Sequence, residues 1–115
     1  MRLLDQHCAS GRGGLQRLGE AALAAGLQEL AGWAPSDGAT RLQRAFRFRD
    51  FAEAMRFVDA MAAVAEREGH HPDFSVHWSR VDVTLWTHDA GGLTQNDLVL
   101  AARLGALPEA RAAAA

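Results

Sequence analysis

The stretch "FSVHWSRVDVTLWTHD" (Phe74 to Asp89) alternates apolar and polar residues on either side of a polar break, the period-two pattern of strands with one buried face. If Ser79 and Arg80 form a two-residue turn, Trp78 faces Val81, Val76 faces Val83 and Phe74 faces Leu85, while His77 meets Asp82 and Ser75 meets Thr84. A slip of one residue would set apolar against polar throughout, so burial of one face favours this register. Phe74, Val76, Trp78, Val81, Val83 and Leu85 are then expected to face a helical layer, with His77, Thr84, Trp86 and His88 on the other side. An exposed Trp86 suggests a ligand platform or a subunit contact.

Continued by position, the same ladder sets His71 opposite His88 and His70 near Asp89. Pro72 cannot donate to a ladder, so proximity is expected and not a hydrogen-bonded pair. Upstream, "RDFAEAMRFVDAMAAVAERE" (Arg49 to Glu68) is the clearest helix, with Phe51, Met55, Val58, Met61, Ala62 and Ala65 on one stripe, Asp50 as N-cap and Gly69 as the stop. Before it, Leu42, Phe46 and Phe48 alternate with Gln43, Ala45 and Arg47, Arg44 being the exception on the apolar side. The Asp37-Gly38 pair marks the tip of a hairpin to a short strand near Trp33.

Leu15 to Leu30 reads as a first helix with Leu15, Leu18, Ala22 and Leu23 at helical spacing and Gly26 as its weak point. "GGLTQNDLVLAARLGAL" (Gly91 to Leu107) turns through two glycines, caps on Thr94 with Asp97 three residues on, and runs as a last helix with Leu98, Ala101, Ala102 and Leu104 inward. This order suits an α+β domain in which helices pack on one face of an antiparallel sheet. Residues 15–107 form that domain. Residues 1–14, ending in "SGRGG", read as a flexible leader, and 108–115 as a frayed tail.

Composition narrows the function classes. At 115 residues the chain has room for one domain, and 49% apolar with 23% charged residues is the usual globular balance. A formal charge of -2 with scattered arginines argues against a grip on nucleic acid or anionic lipid and for a small or uncharged partner. Cys8 is the single cysteine, which excludes an intrachain disulfide and suits a cytoplasmic protein. No apolar run approaches the ~20 residues of a membrane-spanning helix, and Asp5 and His7 interrupt the start where a signal peptide needs an apolar core.

His70, His71 and His88 are thus expected to gather where the long helix stops and the last strand ends. An unperturbed histidine titrates near ~6.5, so a cluster can hold one ring protonated and another neutral at neutral pH. Elimination of water from a carbinol needs that combination: an acid for the departing hydroxyl and a base for the proton on the neighbouring atom. His7 and His77 read as surface residues. A metal site is the weaker reading, because adjacent histidines point apart and the His-Glu-x-x-His spacing is missing. No phosphate-binding glycine loop is present, and no serine or thiol is paired with a histidine for nucleophilic catalysis.

Glu66, His70-His71-Pro72, Trp78, His88 and Asp97 stand at spacings that resemble the signature of the pterin-4a-carbinolamine dehydratase family. "GW" at Gly32-Trp33, "FRFRDFAEAMRFV" from Phe46 and "TLWTHDAGGLTQNDLVLA" from Thr84 are similar to it as well. The resemblance covers roughly residues 29 to 107. It implies a two-layer single domain with a four-stranded antiparallel sheet and three helices packed on one face. It also implies a lyase that dehydrates 4a-hydroxytetrahydropterin to quinonoid dihydropterin in tetrahydrobiopterin recycling, with no metal and no organic cofactor. By that resemblance His70, His71 and His88 are the catalytic histidines, His70 and His88 for proton transfer and His71 mainly for holding substrate. Gly69, Trp86, Thr87 and Asp89 join them in contacting the pterin. Glu66 and Asp97 support the histidines or shape the pocket, and Trp33 is a candidate wall, with core packing as its equal alternative. The partners implied are the pterin, further copies of the chain in a dimer or tetramer, and a functional link to an aromatic amino acid hydroxylase. The alternative it leaves open is a non-enzymatic module that binds a pterin, or one that stabilises a partner's dimer as a transcriptional coactivator does.

Overall fold

Four strands, β1 (Ala34–Ser36), β2 (Arg41–Arg47), β3 (Asp73–His77) and β4 (Arg80–Leu85), form one antiparallel sheet in the order β1-β2-β4-β3 in a computed structural model that describes residues 2–9 and 15–111. The helices are α1 (Glu20–Leu27), α2 (Phe51–Glu68), α3 (Gln95–Gly105) and the short α4 (Pro108–Arg111), with 3-10 turns at Leu3–Asp5 and His88–Ala90. The α+β architecture and the four-stranded antiparallel sheet are as expected. Among the described residues no helix is long and apolar enough to cross a membrane.

The inner face of the sheet is built from Leu42, Phe46 and Phe48 of the β2 segment and Val81, Val83 and Leu85 of β4, all buried. Arg44, the exception in that alternation, lays its guanidinium over the Phe46 ring at 4.3 Å and donates to the Ala31 carbonyl at 3.2 Å. Its stem thus covers apolar surface while its charge meets the end of the α1 segment.

The β3-β4 register differs from the expected one by two residues. Val76 pairs with Val81, Phe74 with Val83 and His77 with Arg80, so Trp78 and Ser79, not Ser79 and Arg80, make the turn. Trp78 takes a positive φ of 52° there and is 73% exposed instead of joining the core. A slip of two residues keeps every side chain on its face, so alternation alone cannot distinguish the two pairings. Contacts from outside the hairpin do: β2 pairs with β4 through Leu42–Leu85 and Phe46–Val81, and the Phe48 N–H donates to the Ser79 carbonyl at 2.7 Å. Phe74 shares the inner face but stays 48% exposed because β3 is an edge strand.

Helix α2 is capped as expected. The Asp50 side chain accepts from the Glu53 N–H at 2.9 Å, and Gly69 closes the helix in the left-handed conformation. Its buried stripe is Ala54, Phe57, Met61, Val64, Ala65 and Glu68; of the expected stripe Met61 and Ala65 are buried and Val58 packs against the core, while Phe51 is half-exposed and Ala62 exposed, which corrects those two. Two overlapping apolar stripes share Met61 and Ala65. Phe57, whose ring centroid lies 4.4 Å from that of Phe46 and 5.4 Å from that of Phe48, decides between them.

The first helix begins at Glu20, not Leu15; Leu18 before it donates from its N–H to the Leu93 carbonyl at 2.8 Å. Gly26, expected as a weak point, is a contact: a Cβ there would meet Leu98 of α3 at 2.6 Å, so its absence lets the two helices approach. Residues 2–9, read from sequence as part of a free leader, lie against the domain, with Leu3 buried and its N–H on the Glu29 carboxylate at 2.9 Å. The remainder of that leader, 1 and 10–14, lies outside the described residues, as do 112–115 of the expected tail; 108–111 are helical.

Candidate active site

The end of α2 supplies the first two histidines. Gly69 turns the chain at φ 68°, with its own N–H and that of His70 both on the Ala65 carbonyl at 2.9 and 3.3 Å, and Pro72 leads into β3. Space is open around the Gly69 Cα, so only the backbone conformation opposes a side chain there. Gly69→Ala is therefore expected to cost about 1–2 kcal/mol, read as a lower urea midpoint at unchanged slope.

His70 points inward. Its side chain is 11% exposed, and Nε2 lies 2.6 Å from Oδ1 of the fully buried Asp97. Asp97 is the third residue of α3, and its other oxygen accepts from the Thr94 N–H at 2.9 Å and the Thr87 hydroxyl at 2.8 Å. The Thr87 and Thr94 hydroxyls are 2.7 Å apart. One carboxylate therefore caps α3, ties it to the end of β4 and orients His70. With the carboxylate as acceptor, Nε2 carries a proton and Nδ1 is the nitrogen left to exchange one.

His88 arrives from a different element than expected. The β3-β4 ladder ends at the Asp73–Thr84 pair, and His88 opens the 3-10 turn His88–Ala90, closed by the Thr87–Gly92 bridge and Gly91 at φ 68°. The ring centroids of His88 and Trp86 lie 3.8 Å apart at 32°. Trp86 in turn carries the Arg41 guanidinium at 4.1 Å and donates from Nε1 to Asp73 at 3.0 Å. His71 is exposed, its Nε2 3.2 Å from Glu66 at the helix end.

His70, His71 and His88 line one cavity of about 450 Å3, together with Gly69, Trp86, Thr87 and Asp89. That size lies within the ~300–1,000 Å3 of small-molecule sites. The expected residues are thus brought together, although the register that suggested it was displaced. Glu66 stands outside the lining and reaches the cavity through His71. Trp33 does not belong to it: it is buried edge-on against Phe46 at 5.9 Å and lines a separate cavity with Glu29 and Arg44, so core packing is its role. Among the described residues no three His, Cys, Asp or Glu side chains form a metal-ligand set.

Two neighbours escaped the sequence reading. Glu68, with a side chain 2% exposed, accepts from the Cys8 N–H at 2.8 Å and lies 2.9 Å from Nδ1 of His7. Burial works against its charge, but the Cys8 N–H, the His7 ring and Arg103 together hold its carboxyl below the ordinary glutamate value. Asn96 holds Ala9 by both backbone groups, at 2.8 and 3.0 Å. A correctly rotated α2 stripe would have flagged Glu68, since it continues the spacing of Met61, Val64 and Ala65 onto the buried face.

Residues 16–107 match the family model described as Pterin 4 alpha carbinolamine dehydratase. A Stenotrophomonas maltophilia (strain K279a) protein named "Putative pterin-4-alpha-carbinolamine dehydratase" is 46% identical over 107 residues, 93% of this chain and 92% of its own length. Among solved structures, a transcriptional coactivator/pterin dehydratase from Brucella melitensis superposes with a TM-score of 0.76 at 38% identity, covering 79% of this chain and 97% of that one. A pterin dehydratase-like protein identified as a RuBisCO assembly factor in the alpha-carboxysome gives 0.58 at 28% identity, covering 68% and 90%.

Proposed function

The chain belongs to the pterin 4 alpha carbinolamine dehydratase family, and from that premise we propose that it dehydrates 4a-hydroxytetrahydropterin to quinonoid dihydropterin by histidine acid/base catalysis. The observation that carries the reading is the His70–Asp97 contact of 2.6 Å at the wall of a cavity that His88 also lines. A carboxylate on Nε2 fixes the orientation and tautomer of the ring and leaves Nδ1 to act. In the proposed step His70 takes the proton from the ring nitrogen beside C4a while His88, protonated, delivers one to the departing 4a-hydroxyl. The C4a–O and N–H bonds break, a C4a=N bond forms and water leaves, so no electron acceptor is needed. His71 holds the substrate at the cavity mouth.

The test is the decay of a freshly generated 4a-hydroxytetrahydropterin followed by absorbance. Purified protein at catalytic concentration is expected to accelerate decay well above the buffer rate, and decay at the buffer rate abolishes the enzymatic reading. Tetrahydrobiopterin recycling beside an aromatic amino acid hydroxylase is the setting we infer for that chemistry.

A second reading, a protein-binding role, is favoured by one observation. Phe51, Phe74 and Trp78 are 51%, 48% and 73% exposed, large apolar side chains that a partner or a further copy of the chain would cover. Self-association is proposed through these side chains and along the open edge of β3.

A further inference from the structure

The segment Gln6–Ala9 bonds to the two elements that supply His70 and Asp97. The Gln6 carbonyl accepts from Arg103 Nε at 2.8 Å, the Cys8 N–H goes to Glu68, and Ala9 is held by the Asn96 amide through both its N–H and its carbonyl. His7 adds its ring nitrogen to the same Glu68 carboxylate. A carboxylate at the end of α2 costs free energy to bury unless it is bonded, and the partners of Glu68 come from this segment and from Arg103. Ala9, with Leu15 beyond it, lines the histidine cavity, and so does Asn96. With the backbone groups of Ala9 engaged by Asn96, Ala9 and Leu15 add apolar side chains to a lining that otherwise carries imidazoles, the carboxylates of Glu68, Asp73 and Asp89, and the Asn96 amide.

We propose that the docking of Gln6–Ala9 fits Ala9 into the wall of the histidine cavity, and that Glu68 and Asn96 are positioning residues that hold this segment in place and so set how tightly the pterin binds. This rests on the reading of the cavity as the pterin site. The apolar wall suits the saturated ring carbons and substituent of a reduced pterin, leaving the 4a-hydroxyl to the histidines. Cys8 makes the wall measurable. Its thiol reaches the Asn96 carbonyl at 3.5 Å, and burial, reinforced by the negative charges of Glu68 and Asp97, pushes it up to about 12 from an ordinary 9.0. A docked Cys8 is therefore a poor nucleophile.

The experiment uses the full chain and its Glu68→Ala, Asn96→Ala and Ala9→Phe variants, with Cys8 titrated by a chromogenic disulfide at pH 8 and steady-state dehydration measured in parallel. The two anchor variants should speed thiol reaction and raise KM, each at least tenfold, with kcat within about threefold of wild type. Ala9→Phe should leave the thiol slow and still raise KM. Faster thiol reaction at unchanged KM, or an unchanged KM in Ala9→Phe, would show that the segment does not meet substrate, and an unchanged thiol rate in both anchor variants would show that they do not hold it. If Glu68→Ala does not fold, Asn96→Ala and Ala9→Phe decide. If wild type does not dehydrate the carbinolamine, the proposed function fails, and the same comparison on the Kd of 7,8-dihydropterin decides the wall.

Discussion

Alanine at His70 is expected to cut kcat for dehydration of 4a-hydroxytetrahydropterin by roughly a hundred- to a ten-thousandfold, the range lost with a positioned general acid or base. The protein should remain folded, because the change removes one hydrogen bond to Asp97, a loss of about 1–3 kcal/mol. The large effect is assigned to His70 and not to its neighbour because the two are placed differently. His70 is 11% exposed and oriented by a buried carboxylate, whereas His71 is 61% exposed and meets Glu66, itself 79% exposed. His71→Ala should therefore act mainly on KM, with kcat reduced less than about tenfold. Stopped-flow absorbance on the three proteins makes the comparison. A His70→Ala kcat within threefold of wild type would remove this residue from the proton-transfer step.

Asp97→Ala should be the most damaging single change to stability. It leaves the Thr94 N–H, the Thr87 hydroxyl and the His70 ring without their acceptor at a place that is fully buried. Each stranded donor costs about 1–3 kcal/mol, part of which rearrangement recovers, so a loss of about 3–5 kcal/mol is expected against a total of ~5–15 for a small domain. That corresponds to a fall in Tm on the order of 10–20 °C. Asp97→Asn keeps the shape and one acceptor oxygen but turns an NH2 group toward a donor, so it should unfold at an intermediate temperature while losing activity almost as fully. Calorimetry and the dehydration assay on both variants separate the two duties of the residue. An Asp97→Ala protein that melts with wild type would show that the carboxylate does not hold α3 to the end of β4.

The candidate site was readable to the extent that its members are close in sequence. Gly69-His70-His71 follows a helix whose stop is a glycine, and Trp86-Thr87-His88-Asp89 follows a strand whose end is the last alternating residue, so the register argument brought the two groups to one place even though the pairing it used was two residues out. His88 reached the cavity from a 3-10 turn instead of a ladder. Asp97 was marked as a cap on Thr94 by local spacing, but its contact with His70 joins residues 27 apart. Glu68 was missed because the α2 stripe was placed one step around the helix, on the side where Phe51 and Ala62 are exposed.

By itself the sequence determined the existence of the sheet strands and of the helices α1, α2 and α3, and the boundaries of α2 and α3 at their capped ends. Asp50, Gly69 and Thr94-Asp97 act within a turn of the residues they bond, and period-two and helical patterns need only neighbours. Only the tertiary structure decided the rotation of α2, the register of β3 on β4, the strand order β1-β2-β4-β3 and the docking of Gln6–Ala9. Each of these is a choice between arrangements that local pattern leaves equal: two apolar stripes on one helix, or two pairings that differ by an even slip. What separates them is packing and hydrogen bonding between distant segments, such as Phe57 between Phe46 and Phe48 and the Phe48 N–H on Ser79, and those energies exist only once the chain has folded.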